Sequence, residues 1–345
     1  MSLDFRPTNQ NDAGALSEFL GRVLRLRAED SLLDPRHMAW KYWTARPDWE
    51  GSRSFIAQHR GAIVAHVAVW PVRVRPGGQE VTALHAIDWA ADRRYAGAGT
   101  WVLRQLAAKV GMMVATGGSE IARRILPVIG FRPHSEFYQF AYPLRPLRQA
   151  LTTTKRDLKL PARVLRNALW RLSRPLSLPG GWSAVPLAPE KVAAGLWPQP
   201  SLATAVTARD TGFYQYFVDS PYAPHVLFGL QKNGELAGYF CLAFATHAAR
   251  IADLWLPSSN VEDWCAGFQT AAMVAAREKS IYEVSAWAST ALGKEALARA
   301  GFLMCERSTV SLFGDAKMLE GRELHLQMLD SDASFLSREI VSYLT

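Results

Sequence analysis

The stretch Asp92–Trp101, DRRYAGAGTW, decides how this chain is read. Upstream of it, roughly Ala83 to Trp89 (ALHAIDW), aliphatic and aromatic residues in short alternation predict a β-strand. Downstream, Leu103, Leu106, Ala107 and Val110 recur at the spacing of one helix face. The two glycines, Gly97 and Gly99, therefore sit between a strand end and a helix N-terminus, beside Arg93 and Arg94. A helix start exposes backbone N–H groups and the positive end of the helix dipole. Glycine lets an anion approach that backbone closely, and arginine adds bidentate donors. The stretch implies a phosphate or pyrophosphate site.

Two common phosphate loops do not fit. A dinucleotide loop would need a third glycine where Val102 stands, and its glycines would follow the strand directly. A Walker loop needs Gly-Lys-Ser/Thr, whereas Gly293-Lys294 is followed by Glu295 and has no upstream glycine at the required distance.

The pattern [QR]-x-x-G-x-[GA] does fit, through Arg94, Gly97 and Gly99. It resembles the pyrophosphate loop of the GNAT (GCN5-related N-acetyltransferase) superfamily. FRPTNQNDAGALSEFL is similar to that family's opening strand and first helix. SEIARRILPVIGF is similar to its N-x-x-A-x-x-x-Y-x-x-x-G-F ending, with Ala122, Gly130 and Phe131 in place. Ser119 stands where many members have Asn, and Leu126 where many have a Tyr that protonates the leaving thiolate. The resemblance covers about residues 3–142 well and 183–330 in outline.

The flanking halves resemble each other. WKYWTARP (40–47) matches YQYFVDSP (214–221). Each is followed by a hairpin pattern, turning at Arg60-Gly61 and at Asn233-Gly234. Then come a strand with Asp and Trp, a helix, a strand, and a helix ending in Gly-Phe, VIGF at 128–131 and RAGF at 299–302. The offset drifts only from 174 to 171 residues. The expectation is an α+β protein of two tandem GNAT-like domains, each a mixed, mostly antiparallel sheet flanked by helices. The expected division is 1–142 for the acyl-CoA-binding domain, 143–182 for a basic Pro-rich linker, and 183–345 for a degenerate second domain. In that second copy the loop position reads LPSSNVEDWCAG, acidic and poor in glycine, which would repel a pyrophosphate.

Charge is unevenly placed. The chain of 345 residues carries a net +8. From Pro143 to Gly180 there are nine basic residues and one acid, Asp157, so the remaining 30 basic and 30 acidic residues cancel. Inside that segment ARVLRNALWRL places Val164, Leu165, Ala168, Leu169 and Leu172 at helix-face spacing. A basic amphipathic helix there suits a solvated inter-domain helix, an anionic membrane surface, or a grip on an acidic partner or RNA; Trp170 among arginines leans toward the membrane for segment 155–174. No dedicated nucleic-acid motif is present, and the neutral remainder argues against a broad nucleic-acid footprint. Three cysteines without a C-x-x-C pair suggest a reducing compartment. The N-terminus has no secretory pattern and no apolar run is long enough to span a bilayer. The expected location is the cytoplasm, peripheral to the inner membrane face if the basic helix binds lipid. No His/Cys/Asp cluster has metal-ligand spacing, so no metal is expected.

The resemblance implies acyl transfer from acetyl-CoA to a small-molecule amine acceptor. It places the cofactor on Trp89, Ala90, Arg94, Tyr95, Ala96, Gly97, Ala98, Gly99 and Thr100. A proton must leave the amine, so a carboxylate or His on or beside the strand before the loop is wanted. The candidates are Asp88, His85 and Glu120. In a regular strand His85 and Asp88 would face opposite sides; Glu120, in a first helical turn, also suits helix capping. Trp40, Tyr42 and Trp43 are candidates for the acceptor side, where they would stack on a sugar ring or aromatic amine; packing on the core is the competing role. Their order WKYW…RP…G looks like GNAT-type proteins of polysaccharide assembly, which makes an amino sugar one acceptor class. Two other functions remain open: a Fem-type aminoacyl-tRNA-dependent transferase, and a non-catalytic binding or scaffold protein.

Overall fold

The computed structural model describes residues 2–153, 157–335 and 343–344. Alternating apolar residues in the first half form β1 (Asp4–Pro7), β2 (Ser54–His59), β3 (Ala62–Arg75), β4 (Val81–Ala91), β5 (Met112–Thr116) and β6 (Arg132–Pro143). Between them lie α1 (Ala13–Leu24), α2 (Pro35–Met38, continued by a wider turn over Ala39–Trp43), α3 (Ala98–Ala107) and α4 (Glu120–Ile129). The basic segment forms α5 (Pro146–Thr152) and α6 (Leu160–Ser173); its Lys155 and Arg156 lie outside the described residues. The second half forms β7 (Trp182–Pro186), β8 (Thr204–Thr207), α7 (Thr211–Val218), β9 (His225–Lys232), β10 (Glu235–Phe244) and β11 (Ala248–Trp255). It continues with α8 (Val261–Arg277), β12 (Glu283–Ala288), α9 (Ala291–Arg299), β13 (Leu303–Gly314) and β14 (Glu323–His325).

The strands join one sheet in the order β1-β2-β3-β4-β5-β13-β6-β12-β11-β10-β9-β7, with β8 and β14 on a side branch from β3. The order reads the same from both ends if each strand is exchanged for its repeat partner: β1 for β7, β2 for β9, β3 for β10, β4 for β11, β5 for β12, β6 for β13. This is a tandem pair of α+β halves about a pseudo-twofold axis, as the sequence repeat implies. Pairing is mostly antiparallel, with β4–β5 and β11–β12 parallel. At the axis the halves exchange their last strands. β13 lies between β5 and β6, and β6 lies between β13 and β12.

Both hairpin turns take the conformation that a right-twisted two-stranded turn requires. Arg60 and Gly61 have φ 51° and 80°, and Asn233 and Gly234 have φ 53° and 88°. The two aromatic helices pack on each other. The Trp40 and Tyr216 rings stack at 4.8 Å, Trp40 Nε1 donates to Tyr216 O at 3.1 Å, and Tyr216 Oη donates to Trp40 O at 2.5 Å. Arg46 lies over the Trp70 ring at 4.2 Å with Asp48 as its counterion. The core is thus continuous from one half to the other.

Candidate active site

The cleft begins where β4 and β5 part. Only Leu84–Met113 and His85–Val114 pair between them. Beyond that point β4 runs to Ala91 without β5 as neighbour, and the glycine stretch closes the gap. A cavity of about 330 Å³ lies there, walled by Trp89–Arg93 on β4 and its end, Tyr95–Gly97, Gly99 and Thr100 at the start of α3, Ile121, Ala122 and Ile125 on α4, and Leu24 on α1.

The loop is built from its own side chains. Asp92 accepts from the Arg94 backbone N–H at 3.0 Å and pairs with the Arg94 guanidinium at 2.7 Å and with Arg22 at 2.6 Å. Those hydrogen bonds, Arg94's first, hold the Asp92 carboxyl far below the usual carboxylate range. Gly97 caps α3 in a left-handed conformation, φ 83°. A Cβ on Gly99 would stand 2.9 Å from Ala91 Cβ, and the Gly99 carbonyl accepts from Trp89 Nε1 at 2.9 Å. So Gly99 lets α3 press against the end of β4. The N–H groups of Ala96, Gly97, Gly99 and Thr100 make no hydrogen bond among the described residues and sit at the positive end of the α3 dipole. Of the residues expected to hold the cofactor, Trp89, Ala90, Tyr95, Ala96, Gly97, Gly99 and Thr100 wall the cavity. Ala98 is buried in the helix start, and the Arg94 side chain shapes the loop through Asp92.

On β4 the pairing with β3 slips between Ala68–Ile87 and His66–Ala90, so Asp88 and Trp89 oppose Val67 alone. Asp88 has φ 48°, a left-handed bulge residue. The bulge corrects the alternation expected of a regular strand. Asp88 turns toward Tyr42, and His85 toward the turn at Asp330, so both face the side of the sheet that carries residues 328–335. Asp88 Oδ2 accepts from Tyr42 Oη at 2.8 Å and lies 2.7 Å from Lys41 Nζ, with Lys41 fully buried. Burial pushes the Asp88 carboxyl up, but the Lys41 charge and its hydrogen bond, with the Tyr42 hydroxyl, bring it below its ordinary value. Asp88 is the counterion of a buried lysine, a poor proton acceptor.

His85 sits where the strands part. Its Nδ1 is 3.1 Å from Asp330 O, and its Nε2 lies 3.0 Å from Thr116 Oγ1 and accepts from the Thr116 N–H at 3.3 Å. Burial lowers its pKa, so the ring is neutral near pH 7. Donation from Nδ1 to the carbonyl leaves the Nε2 lone pair toward Thr116. His66, whose ring bonds Asp88 O at 2.8 Å and Ser54 Oγ at 2.9 Å, is lowered by burial to about 4.

Glu120 is elsewhere in character. It opens α4 behind the Ser119 cap, is 71% exposed, and pairs with Arg124. The aromatic trio is structural in its contacts. Trp40 stacks on Tyr216, Tyr42 holds Asp88, and Trp43 Nε1 donates to Thr8 Oγ1 at 3.0 Å. Trp40 also edges a shallow cavity shared with α7. Sequence reading gives Lys41 no role beyond its place in the aromatic cluster, and it misses Thr116 and Asp330. A lysine inside WKYW, an otherwise apolar helix end, was the available signal for the first; the other two carried none.

The second half keeps an acid at the matching strand. Asp253 on β11 accepts from Tyr214 Oη at 2.5 Å and pairs with Arg209 at 2.6 Å, which also pairs with Asp330 at 2.8 Å. Its opening is filled by its own chain. Ser289, just past β12, donates to Leu326 O at 3.2 Å and accepts from the Leu326 N–H at 2.7 Å. The start of α8 carries Glu262 and Asp263.

This is the tandem GNAT fold. No protein-family model and no curated protein matches the chain. Among solved structures it is similar to a GCN5-related N-acetyltransferase from Anabaena variabilis: TM-score 0.60, 12% identity, over 93% of this chain and 75% of that one. A tandem GNAT protein from the clavulanic acid biosynthesis pathway aligns over 90% of this chain and 98% of that one, at TM-score 0.57 and 12% identity. N-myristoyltransferase from Saccharomyces cerevisiae, with bound myristoyl-CoA, aligns over 91% and 79%, at TM-score 0.58 and 10% identity. Among the described residues no group of His, Cys, Asp or Glu is placed to hold a metal ion.

Proposed function

We propose that the protein is an acyl-CoA-dependent N-acyltransferase that binds its acyl-CoA in the first half. One observation carries the reading: the parting of β4 from β5, closed by a loop whose unpaired N–H groups line a cavity at a helix start. The CoA pyrophosphate would lie on the N–H groups of Ala96, Gly97, Gly99 and Thr100, with the acyl end toward the parting point. Acetyl-CoA is the donor this reading takes first. The acceptor is a small-molecule amine, with an amino sugar of polysaccharide assembly as the first class to test. The protein would work in the cytoplasm, at the inner face of a membrane where the basic helix meets lipid.

The amine nitrogen attacks the thioester carbon, the C–S bond breaks, and the amine proton leaves. His85 is the base this reading assigns, reached through Thr116 Oγ1, because it is neutral and offers Nε2 at the parting point. Asp88, held as the counterion of Lys41, positions the β4 bulge. The second half, its opening filled by residues 326–330, serves as the other wall and binds no CoA. The absence of a Tyr at Leu126 leaves the thiolate to take its proton from His85 or solvent.

Calorimetry with acetyl-CoA tests the site. Ala96 is exposed and not left-handed, so Ala96→Glu adds a carboxylate without strain. Wild type should bind one equivalent and the folded variant should lose binding about a hundredfold or more. His85→Gln should keep acetyl-CoA binding and lower turnover about 10²–10⁴-fold. A folded wild type that binds neither acetyl-CoA nor CoA ends the reading and leaves a tRNA-dependent transferase or a binding protein. Binding without turnover on any amine leaves a non-catalytic CoA-binding protein.

A further inference from the structure

Helix α6 is mounted inside out. The face it turns to the protein is polar and aromatic. Asn167 is fully buried, and its Nδ2 donates to Gln149 Oε1 at 3.1 Å; Trp170 Nε1 donates to Gly301 O at 2.7 Å. Three of its four leucines point the other way. Leu165, Leu169 and Leu172 are 61%, 57% and 76% exposed, and at helical spacing they form one stripe. Leu158, just before the helix, is fully exposed, and Leu147 and Leu151 on α5 are also exposed. Arg166 bonds back to Asn167 Oδ1 and Leu344 O and Arg171 lies over the Tyr142 ring, so among the described residues the free charges near the stripe are the exposed Arg148 and Lys159. An isolated exposed leucine is ordinary; a helix that buries Asn and exposes its leucine stripe is not.

We propose that this face docks on the surface of an anionic lipid bilayer, with the leucines in the acyl boundary and the basic residues at the headgroups. Charge selects the occupant. Residues 143–180 carry the whole net charge of the chain, +8, on nine basic residues and one acid. A second copy meeting this face about a twofold axis would set one basic segment against another. A nucleic acid or acidic protein would be met by charge but would leave the leucines in water. An anionic bilayer satisfies both, as interfacial amphipathic helices do. The helix lies on the membrane rather than through it: among the described residues no helix is long and apolar enough to cross. The proposal does not depend on the acyltransferase reading.

The test is flotation of the full chain with phosphatidylcholine vesicles, with and without phosphatidylglycerol. The probe variant is Leu165→Gln/Leu169→Gln/Leu172→Gln, whose side chains face solvent and whose fold is checked by circular dichroism and the unfolding midpoint. A second variant, Arg148→Gln/Lys159→Gln, removes exposed charge alone. Wild type should float with the phosphatidylglycerol vesicles and much less with phosphatidylcholine alone. The leucine variant should lose at least about a hundredfold in partition. The charge variant should lose a smaller part, and 1 M salt should erase its difference from wild type. Wild type that stays with the soluble fraction, or a folded leucine variant that floats as well as wild type, overturns the proposal. So does light scattering that shows a wild-type dimer which the leucine variant converts to monomer while neither binds vesicles.

Discussion

Lys41 and Asp88 form an ion pair in which one partner is fully buried and the other nearly so. Taking one charge away leaves the other unpaired in a low-dielectric site, which costs far more than the pair contributes. Lys41→Met should therefore destabilise the protein by about 3–5 kcal/mol in urea unfolding. Lys41→Met/Asp88→Asn should recover part of that loss, since Asn tolerates the left-handed φ and the one carboxylate then left without the lysine, Asp332, 3.5 Å from Lys41 Nζ, is 19% exposed. An additive double variant would mean that Lys41 is held by Asp332 rather than by Asp88. The buried histidines set a pH window that a solvent-exposed His would not. His66, His225 and His325 are each lowered by burial to about 4. The unfolded chain takes up these protons near pH 6.5, before the folded one can. Stability is then full above about 6.5 and is lost as pH falls toward about 4. The Asp88 and Asp92 carboxyls, held low by their cations, add a loss that begins below the ordinary carboxylate value of about 4 and continues downward. Thermal midpoints across pH 4–8 should fall already between about 6.5 and 5, where carboxylates alone would give a plateau.

Much of the element scale was legible. The strand before DRRYAGAGTW, the helix after it, both hairpins and α6 follow from periodicity and from turn dipeptides, because each is fixed by residues close in the chain. The bulge at Asp88 was not legible. A left-handed residue inside a strand has no local signature when the residue is Asp, and the bulge is held by Lys41, Tyr42 and His66 from other elements. The inverted mounting of α6 was half legible: its stripe is in the sequence, but which face meets the protein depends on Gln149 and Gly301. The glycines of the loop divide by role in a way that sequence could not separate. Gly97 is needed for its φ, whereas Gly99 is needed for the approach of α3 to Ala91. Gly99→Ala must push α3 from β4 and should cost about 1–3 kcal/mol by chemical unfolding, with weaker acetyl-CoA binding. A full-stability Ala variant would show that α3 moves freely there, and the loop would no longer be the fixed cradle that the proposed site requires.

At the scale of the whole molecule, the repeat was visible in sequence but the exchange of last strands was not, since strand order is set by pairing between residues far apart in the chain, such as Ala115 with Ser311 and Phe137 with Ser308. The exchange has a consequence for folding. β5 ends the first half's own run of strands, and its neighbour is β13, from the far end of the chain. A fragment of residues 1–142 would expose the edges of β5 and β6 and lose every contact of the aromatic cluster with Tyr216 and Phe217. Exposed strand edges pair with other chains. The fragment should be found aggregated or without a cooperative thermal transition. Residues 143–345 expressed alone should fare no better, because β12 and β13 both lose β6. Co-expressed, the two fragments should form a one-to-one complex with a single transition, since the break falls at the end of β6 and all the inter-half pairings can re-form. A folded, monomeric 1–142 fragment that binds acetyl-CoA would mean that the first half closes its own sheet, and that the exchange is a late docking step rather than part of the core.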